Sequence, residues 1–199
     1  IKVAGVASPK VVKGLIDRIP YYFVVTAVNA DGESGESSQV SATPAVGYIA
    51  VGDSITAGSR DDIPADGIGY EPILGNLLTA YKAYQNIVVN EGVGGTTSAD
   101  GVTSISSTLS KYPSVKYYLV QYGTNDANIA GGLVPSGKGL NPGDPGYNGS
   151  YKDNMQTIIS AIIAAGKTPY LAKIPYSTNP NYSDASIQEY NNVIDELVI

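Results

Sequence analysis

The sequence predicts an α/β fold, a three-layer α/β/α sandwich around a parallel sheet, preceded by a shorter all-β segment. Three observations carry this prediction. From residue 46 onward apolar runs alternate with helical patterns, the signature of βαβ units. Before residue 45 there are short alternating segments separated by turn residues. Between them, composition shifts at Ser41-Ala42-Thr43-Pro44-Ala45. The expected division is therefore residues 1–45 and 46–199.

In the first piece, residues 1–4 (Ile1-Lys2-Val3-Ala4), Lys10-Val11-Val12 and the run from Tyr21 to Val28 read as strands, with Asn29-Ala30-Asp31-Gly32 as a turn. In the second, Gly47 to Val51 is a short buried strand running into Gly52-Asp53-Ser54. Tyr70, Ile73, Leu74, Leu77, Leu78 and Tyr81 then fall at helical spacing and predict one apolar helix face. Ile87-Val88-Val89 is the next strand, followed by a glycine-rich turn and a weaker helix through Val102, Ile105 and Leu109. Tyr117 to Tyr122 is the third strand, and Met155, Ile158, Ile159, Ile162 and Ile163 form a helix face ended by Gly166. Pro169 to Ile174 is the fourth strand, and Ile187, Tyr190, Ile194 and Leu197 mark a last helix. Right-handed crossovers between parallel strands place helices on both faces, which gives the three layers. Ala130 to Ser150 is rich in Gly and Pro and too long for a simple connection, so a surface loop over the site is expected there.

Composition bounds the chemistry. Apolar residues make up 43 % of the chain and charged residues 15 %, an ordinary globular balance. The net charge of −6 disfavours nucleic acid and anionic lipid as partners. With no cysteine there is no disulfide and no thiolate metal site, and no stretch approaches the roughly 20 apolar residues of a membrane span. No basic, apolar leader opens the chain; the start at Ile1 and the end at Val198-Ile199 lead us to expect a segment of a longer protein. The most telling count is zero histidine, the usual general base near neutral pH.

Ligands of open α/β sheets bind beyond the carboxyl ends of the strands. Three polar clusters stand at such ends: Gly52-Asp53-Ser54-Ile55-Thr56, Asn90-Glu91-Gly92-Val93-Gly94-Gly95-Thr96-Thr97 and Gly123-Thr124-Asn125-Asp126. A serine where a strand turns into a helix presents its hydroxyl above the sheet, near helix N-terminal N–H groups. Glycine permits close backbone approach, and an Asn amide is a neutral donor that can face a developing oxyanion. Singly, Ser54 reads as a helix cap, Gly94-Gly95 as a tight turn and Asn125-Asp126 as another cap; their joint placement favours a catalytic reading. Thr56 excludes the Gly-x-Ser-x-Gly elbow, and Asp126 is read as structural. Asp61, Asp62 and Asp66 read as a solvated acidic loop rather than a metal site. Gly166-Lys167-Thr168 precedes a strand and lacks the first glycine of a phosphate loop. No cofactor or metal is called for.

The three clusters resemble the first three conserved blocks of the SGNH (GDSL) hydrolases, a flavodoxin-like family of esterases, lipases and carbohydrate deacetylases. The resemblance runs from Gly47 to the end of the chain. It implies Ser54 as nucleophile, with the Gly95 backbone N–H and the Asn125 side-chain amide as oxyanion donors. In that family an Asp-x-x-His block near the C-terminus supplies the base, and it is expected beyond the last helix seen here. Tyr21-x-Phe23-x-Val25-x-Ala27-Val28-Asn29-x-x-Gly32-x-Ser34, after Gly14-Leu15, resembles the C-terminal half of a fibronectin type III domain, with Tyr21 as its corner tyrosine. Only about 45 of the roughly 100 residues of such a sandwich are present, so exposed apolar surface is expected.

The implied function is a serine ester hydrolase acting on a small ester or an acetylated polysaccharide, extracellular or periplasmic in a bacterium, its fragment here inactive for want of a base. The alternative is a non-catalytic ligand-binding protein that kept the shape of the site. A flavodoxin-like nucleotide binder is disfavoured, because no phosphate-binding fingerprint is present.

Overall fold

The computed structural model of the 199-residue chain describes residues 4–5, 10–12, 15, 19–44, 46–59, 68–128 and 133–198. Its contacts divide it into two compact units, Ile1–Val46 and Gly47–Ile199. Residues 1–3, Gly14, Asp61, Asp62, Asp66 and residues 129–132 of the long loop lie outside the described residues.

The first unit is an antiparallel hairpin. β1 (Tyr21–Phe23) pairs with β4 (Val40–Ala42), and β2 (Val28–Asn29) pairs with β3 (Gly32–Glu33). The turn is fixed by Asn29, whose Oδ1 accepts the Asp31 N–H at 2.9 Å. The single strand expected from Tyr21 to Val28 is interrupted. Phe23 faces Val40 while Val28 faces Glu33, so residues 24–27 oppose six residues of the returning chain. Ser37 and Ser34 fill the mismatch, their hydroxyls accepting the N–H groups of Val25 (3.0 Å) and Ala27 (2.9 Å). Lys10-Val11-Val12 forms no strand, because a strand needs a partner for its backbone groups and none of the described residues supplies one.

The second unit holds a four-stranded sheet of order β6-β5-β7-β8, built from β5 (Val46–Gly52), β6 (Asn86–Gly92), β7 (Tyr117–Gln121) and β8 (Thr168–Leu171). β7 runs parallel to both β5 and β8. The helices are α1 (Glu71–Lys82), α2 (Ser98–Lys111), α3 (Tyr151–Ala164) and α4 (Asp184–Leu197). This is an α/β fold with a parallel sheet, as the alternating pattern predicts. From β5 the chain steps outward to β6, then crosses back to β7 on the other side. The carboxyl end of β5 is thus flanked by the loops after β6 and β7, a topological switch point.

Ile49 and Val51 of β5 and Tyr118 and Val120 of β7 pack with Ile105, Met155, Ile158, Ile162, Ile187 and Val193 in one core. Their spacing is 2 on the strands and 3 or 4 along Met155, Ile158 and Ile162 of α3, the two periods that put side chains on one face. Helix starts are capped as their sequences suggest: Ser150 and Ser183 accept N–H groups three residues on, and Asp100 accepts the Thr97 N–H at 2.8 Å.

Three expectations are corrected. On α1, Ile73, Leu77 and Tyr81 are exposed and the helix seats on β6 through Gly75, where an added Cβ would stand 3.3 Å from the Asn86 carbonyl oxygen. Close approach at a glycine turned the helix away from its widest apolar stripe. On α3, Ile163 is exposed while the other four apolar positions are buried. β8 ends at Leu171 rather than Ile174, because Asn191 of α4 takes both backbone groups of Ile174, accepting its N–H at 2.7 Å and donating to its carbonyl at 2.9 Å. The described part of the long loop is tied to α3 and α4: Lys152 donates to the Leu140 carbonyl and to Glu196, each at 2.7 Å.

Candidate active site

Ser54 stands two residues past the end of β5. The α-helix expected directly after it is a single tight turn instead, closed by Ala57 N–H to the Asp53 carbonyl (2.9 Å) and Ser59 N–H to the Ser54 carbonyl (2.9 Å). The Asp53 side chain caps this turn, accepting the Ile55 N–H at 2.9 Å. Gly52 has no room for a side chain: an added Cβ would lie 2.4 Å from the Gln121 carbonyl oxygen. Thr56 locks the other end of the turn, its hydroxyl donating to Gln121 at 3.0 Å.

The second cluster presses directly on this turn. At Gly92 an added Cβ would fall 2.4 Å from the Ala57 nitrogen, so only glycine lets the end of β6 approach. Asn90 joins the pieces: its amide donates to the Thr56 carbonyl (2.7 Å), the Ile68 carbonyl (3.2 Å) and Glu71 (3.1 Å), and its Oδ1 accepts the Gly92 N–H (2.9 Å). The Val93 N–H donates to the Gly52 carbonyl at 2.9 Å, carrying the chain over to Ser54. Gly94 lies beside the nucleophile position, an added Cβ there standing 3.9 Å from the Ser54 Cβ. Gly95 follows with φ +83° and open space around it.

The third cluster turns tightly after β7. Gly123 (φ +126°) would place a Cβ 2.5 Å from Ile174, and the Ala127 N–H closes the turn on the Gly123 carbonyl at 2.9 Å. Asn125 donates one amide hydrogen to the Thr96 carbonyl at 2.7 Å. Among the described residues its second amide hydrogen has no acceptor. Ser54, Gly95 and Asn125 are thus brought to one end of the sheet, linked through Gly94 and Thr96.

Two carboxyls are buried beneath the site, Asp53 and Asp126. Burial pushes the pKa of each upward, against the lowering effect of the Ile55 N–H on Asp53 and of Ser98 on Asp126. Burial also pushes the Tyr70 hydroxyl up to about 12. Neither carboxyl touches Ser54: among the described residues the Ser54 hydroxyl has no hydrogen-bond partner. Among those residues no group of three or more His, Cys, Asp or Glu side chains converges as a metal site. Ser98 and Gln121 escaped the reading of the sequence as parts of the site. Asn90 opens the second cluster, and its role of joining the Ser54 turn to the end of β6 is given by its bonds rather than by its sequence.

Residues 50–198 match the family model described as GDSL-like Lipase/Acylhydrolase family. No curated protein sequence matches the chain. Among solved structures, the chain is similar to AlinE4, an SGNH-hydrolase family esterase, at 22 % identity and TM-score 0.57, covering 78 % of this chain and 72 % of that one. A lipase/acylhydrolase from Enterococcus faecalis matches at 22 % identity and TM-score 0.55, covering 76 % and 70 %. A variant of Axe2, an acetyl xylan esterase from Geobacillus stearothermophilus, matches at 19 % identity and TM-score 0.52, covering 76 % and 71 %. At these identities the likeness is one of fold.

Proposed function

Because the chain belongs to the GDSL-like lipase/acylhydrolase family, we propose that its site cleaves acyl or acetyl esters with Ser54 as the nucleophile. The Ser54 Oγ attacks the ester carbonyl while its proton passes to a base, and negative charge develops on the carbonyl oxygen. The Gly95 N–H and the free Asn125 amide hydrogen receive that charge. Collapse releases the alcohol, which takes the proton back, and water then frees the acyl group by the same route. The observation that carries this reading is the single linked arrangement of Ser54, Gly94-Gly95 and Asn125 at the switch point of the sheet.

With no histidine among the 199 residues, the proposed reaction needs a base supplied from outside them. By itself the chain should therefore show no useful turnover. Phenyl acetate hydrolysis tests both statements, with the Ser54→Ala variant as background. Without an added base the two proteins should hydrolyse it alike; free imidazole, a base of the missing kind, should open a gap between them. A large Ser54-dependent rate without imidazole would contradict the need for an external base. No gap at any imidazole concentration would favour the second reading, a non-catalytic ligand-binding protein, which the zero histidine count supports.

Three finer points complete the reading. Right-handed crossovers on the order β6-β5-β7-β8 put α1 on one face and α2 and α3 on the other, in keeping with three layers. The likeness to an acetyl xylan esterase supports acetylated polysaccharide as substrate class, and such a polymer as substrate would go with an extracellular or periplasmic site of action. Residues 1–45 are the C-terminal half of a fibronectin type III domain, a reading supported by the Tyr21–Ala42 hairpin and its Asn29–Gly32 turn.

A further inference from the structure

We infer that Ser98 and Asp126 are positioning residues that set the spacing between the two oxyanion donors; the inference rests on the esterase reading. Asn125 and Asp126 are neighbours, and both bind the short segment that follows Gly95. Asn125 donates to the Thr96 carbonyl at 2.7 Å. Two residues on, the Ser98 N–H donates to the Asp126 carboxylate at 3.0 and 3.2 Å, and the Ser98 hydroxyl donates to the same carboxylate. These bonds close a ring through Thr96, Thr97, Ser98, Asp126 and Asn125, with Gly95 attached at one corner and the Asn125 amide at another. The ring matters because packing does not hold this turn. Gly95 has left-handed backbone geometry and nothing within 4 Å of where a Cβ would stand. Its N–H is held relative to the Asn125 amide by hydrogen bonds: on the β5 side the Thr96 hydroxyl donates to the Val93 carbonyl at 2.7 Å, and on the Asn125 side the ring sets the spacing.

The anchor of the ring is well chosen. Ser98 and Asp126 are both fully buried. Ser98 is the first residue of α2, so the carboxylate also meets the positive end of that helix. Asn154 of α3 donates to the Ser98 hydroxyl at 2.9 Å, which leaves the hydroxyl proton for Asp126 and gives the chain of bonds one direction. Tyr190 of α4 donates to the Asp126 carbonyl at 3.1 Å. Three helices thus converge on the residue next to Asn125, while neither Ser98 nor Asp126 need touch substrate.

The test uses the full chain and two readouts. In NMR spectra, Ser98→Ala should shift and broaden the Gly95 backbone amide and the Asn125 side-chain amide pair. In the imidazole-assisted assay it should lower the Ser54-dependent kcat about tenfold or more with KM nearly unchanged, since small misplacements of donors act on the transition state. Ile162→Val, a mild core change in α3, should move neither readout. Asp126→Asn should act in the same direction as Ser98→Ala; where it fails to fold, Ser98→Ala decides. A folded Ser98→Ala protein with native Gly95 and Asn125 signals would overturn the inference, as would an Ile162→Val protein that reproduces its effects. Ser54→Ala should leave the NMR signals in place. Absence of ester chemistry in every variant would thus count against the esterase reading, and the NMR signals would still decide whether Ser98 and Asp126 hold the two donors.

Discussion

At the scale of single residues, the site is made of backbone pressed closer than any side chain allows. Gly92→Ala would drive a Cβ to 2.4 Å from the Ala57 nitrogen, backbone against backbone, with no flexible group to yield. The expected cost is about 1–3 kcal/mol, read from urea unfolding, and the Ser54 turn should shift with it. Gly94→Ala is the contrast: its Cβ would meet only ordinary contacts at 3.7 Å and beyond, so stability should change by less than about 0.5 kcal/mol. Equal losses in the two variants would show that the close approach of β6 to the Ser54 turn is misdescribed. That Ser54, Gly95 and Asn125 stand at one end of the sheet was legible in the sequence, because three polar clusters follow three strands. The parts played by Ser98 and Gln121 were not, because their partners lie 28 and 65 residues away and a polar side chain alone gives no sign of a distant acceptor.

At the scale of elements, two predictions separate the sequence's expectations from the fold. The helical pattern led us to place Leu77 on the buried face of α1, but it is exposed. Leu77→Gln should then change stability by less than about 0.5 kcal/mol, whereas a buried leucine would cost several. Periodicity finds a helix well, but which arc of a wide apolar stripe is buried depends on where a glycine such as Gly75 admits the neighbouring strand. The second prediction concerns the buried carboxyls at the turns after β5 and β7. Asp53 and Asp126 have folded pKa values above their unfolded ones, so between those values the native state binds more protons than the unfolded chain. Their contribution is fully present below the unfolded pKa near 4 and is lost as pH rises through the raised folded values. Urea midpoints should therefore show these two groups favouring the fold as pH falls through that window, with Glu91 and Glu196, whose pKa values are lowered, opposing them. Asp53→Asn should flatten the part due to Asp53; an unchanged slope would refute it.

At the scale of the whole molecule, the second unit is a sheet with its core on buried Ile, Val and Tyr, and it holds Ser54, Gly95 and Asn125. Ile162 is fully buried there, so Ile162→Ala should cost about 2–5 kcal/mol, seen as a lower midpoint of the cooperative transition. The order of strands and helices in this unit was readable from the alternation of periods 2 and 3.6, and the early end of β8 was not, since it depends on Asn191 from α4. In the first unit the hairpin turn was legible and the break in its strand was not, because Ser34 and Ser37 act there through side-chain bonds to backbone. The central proposal is that Gly95 and Asn125 form an oxyanion hole beside Ser54, whose base is no histidine of these 199 residues. The most direct measurement is the Ser54-dependent hydrolysis of phenyl acetate in free imidazole, compared between the native chain and Asn125→Ala. A loss of about 10²–10³-fold in kcat with the fold intact is the expected result. Equal rates in the two proteins would contradict the account.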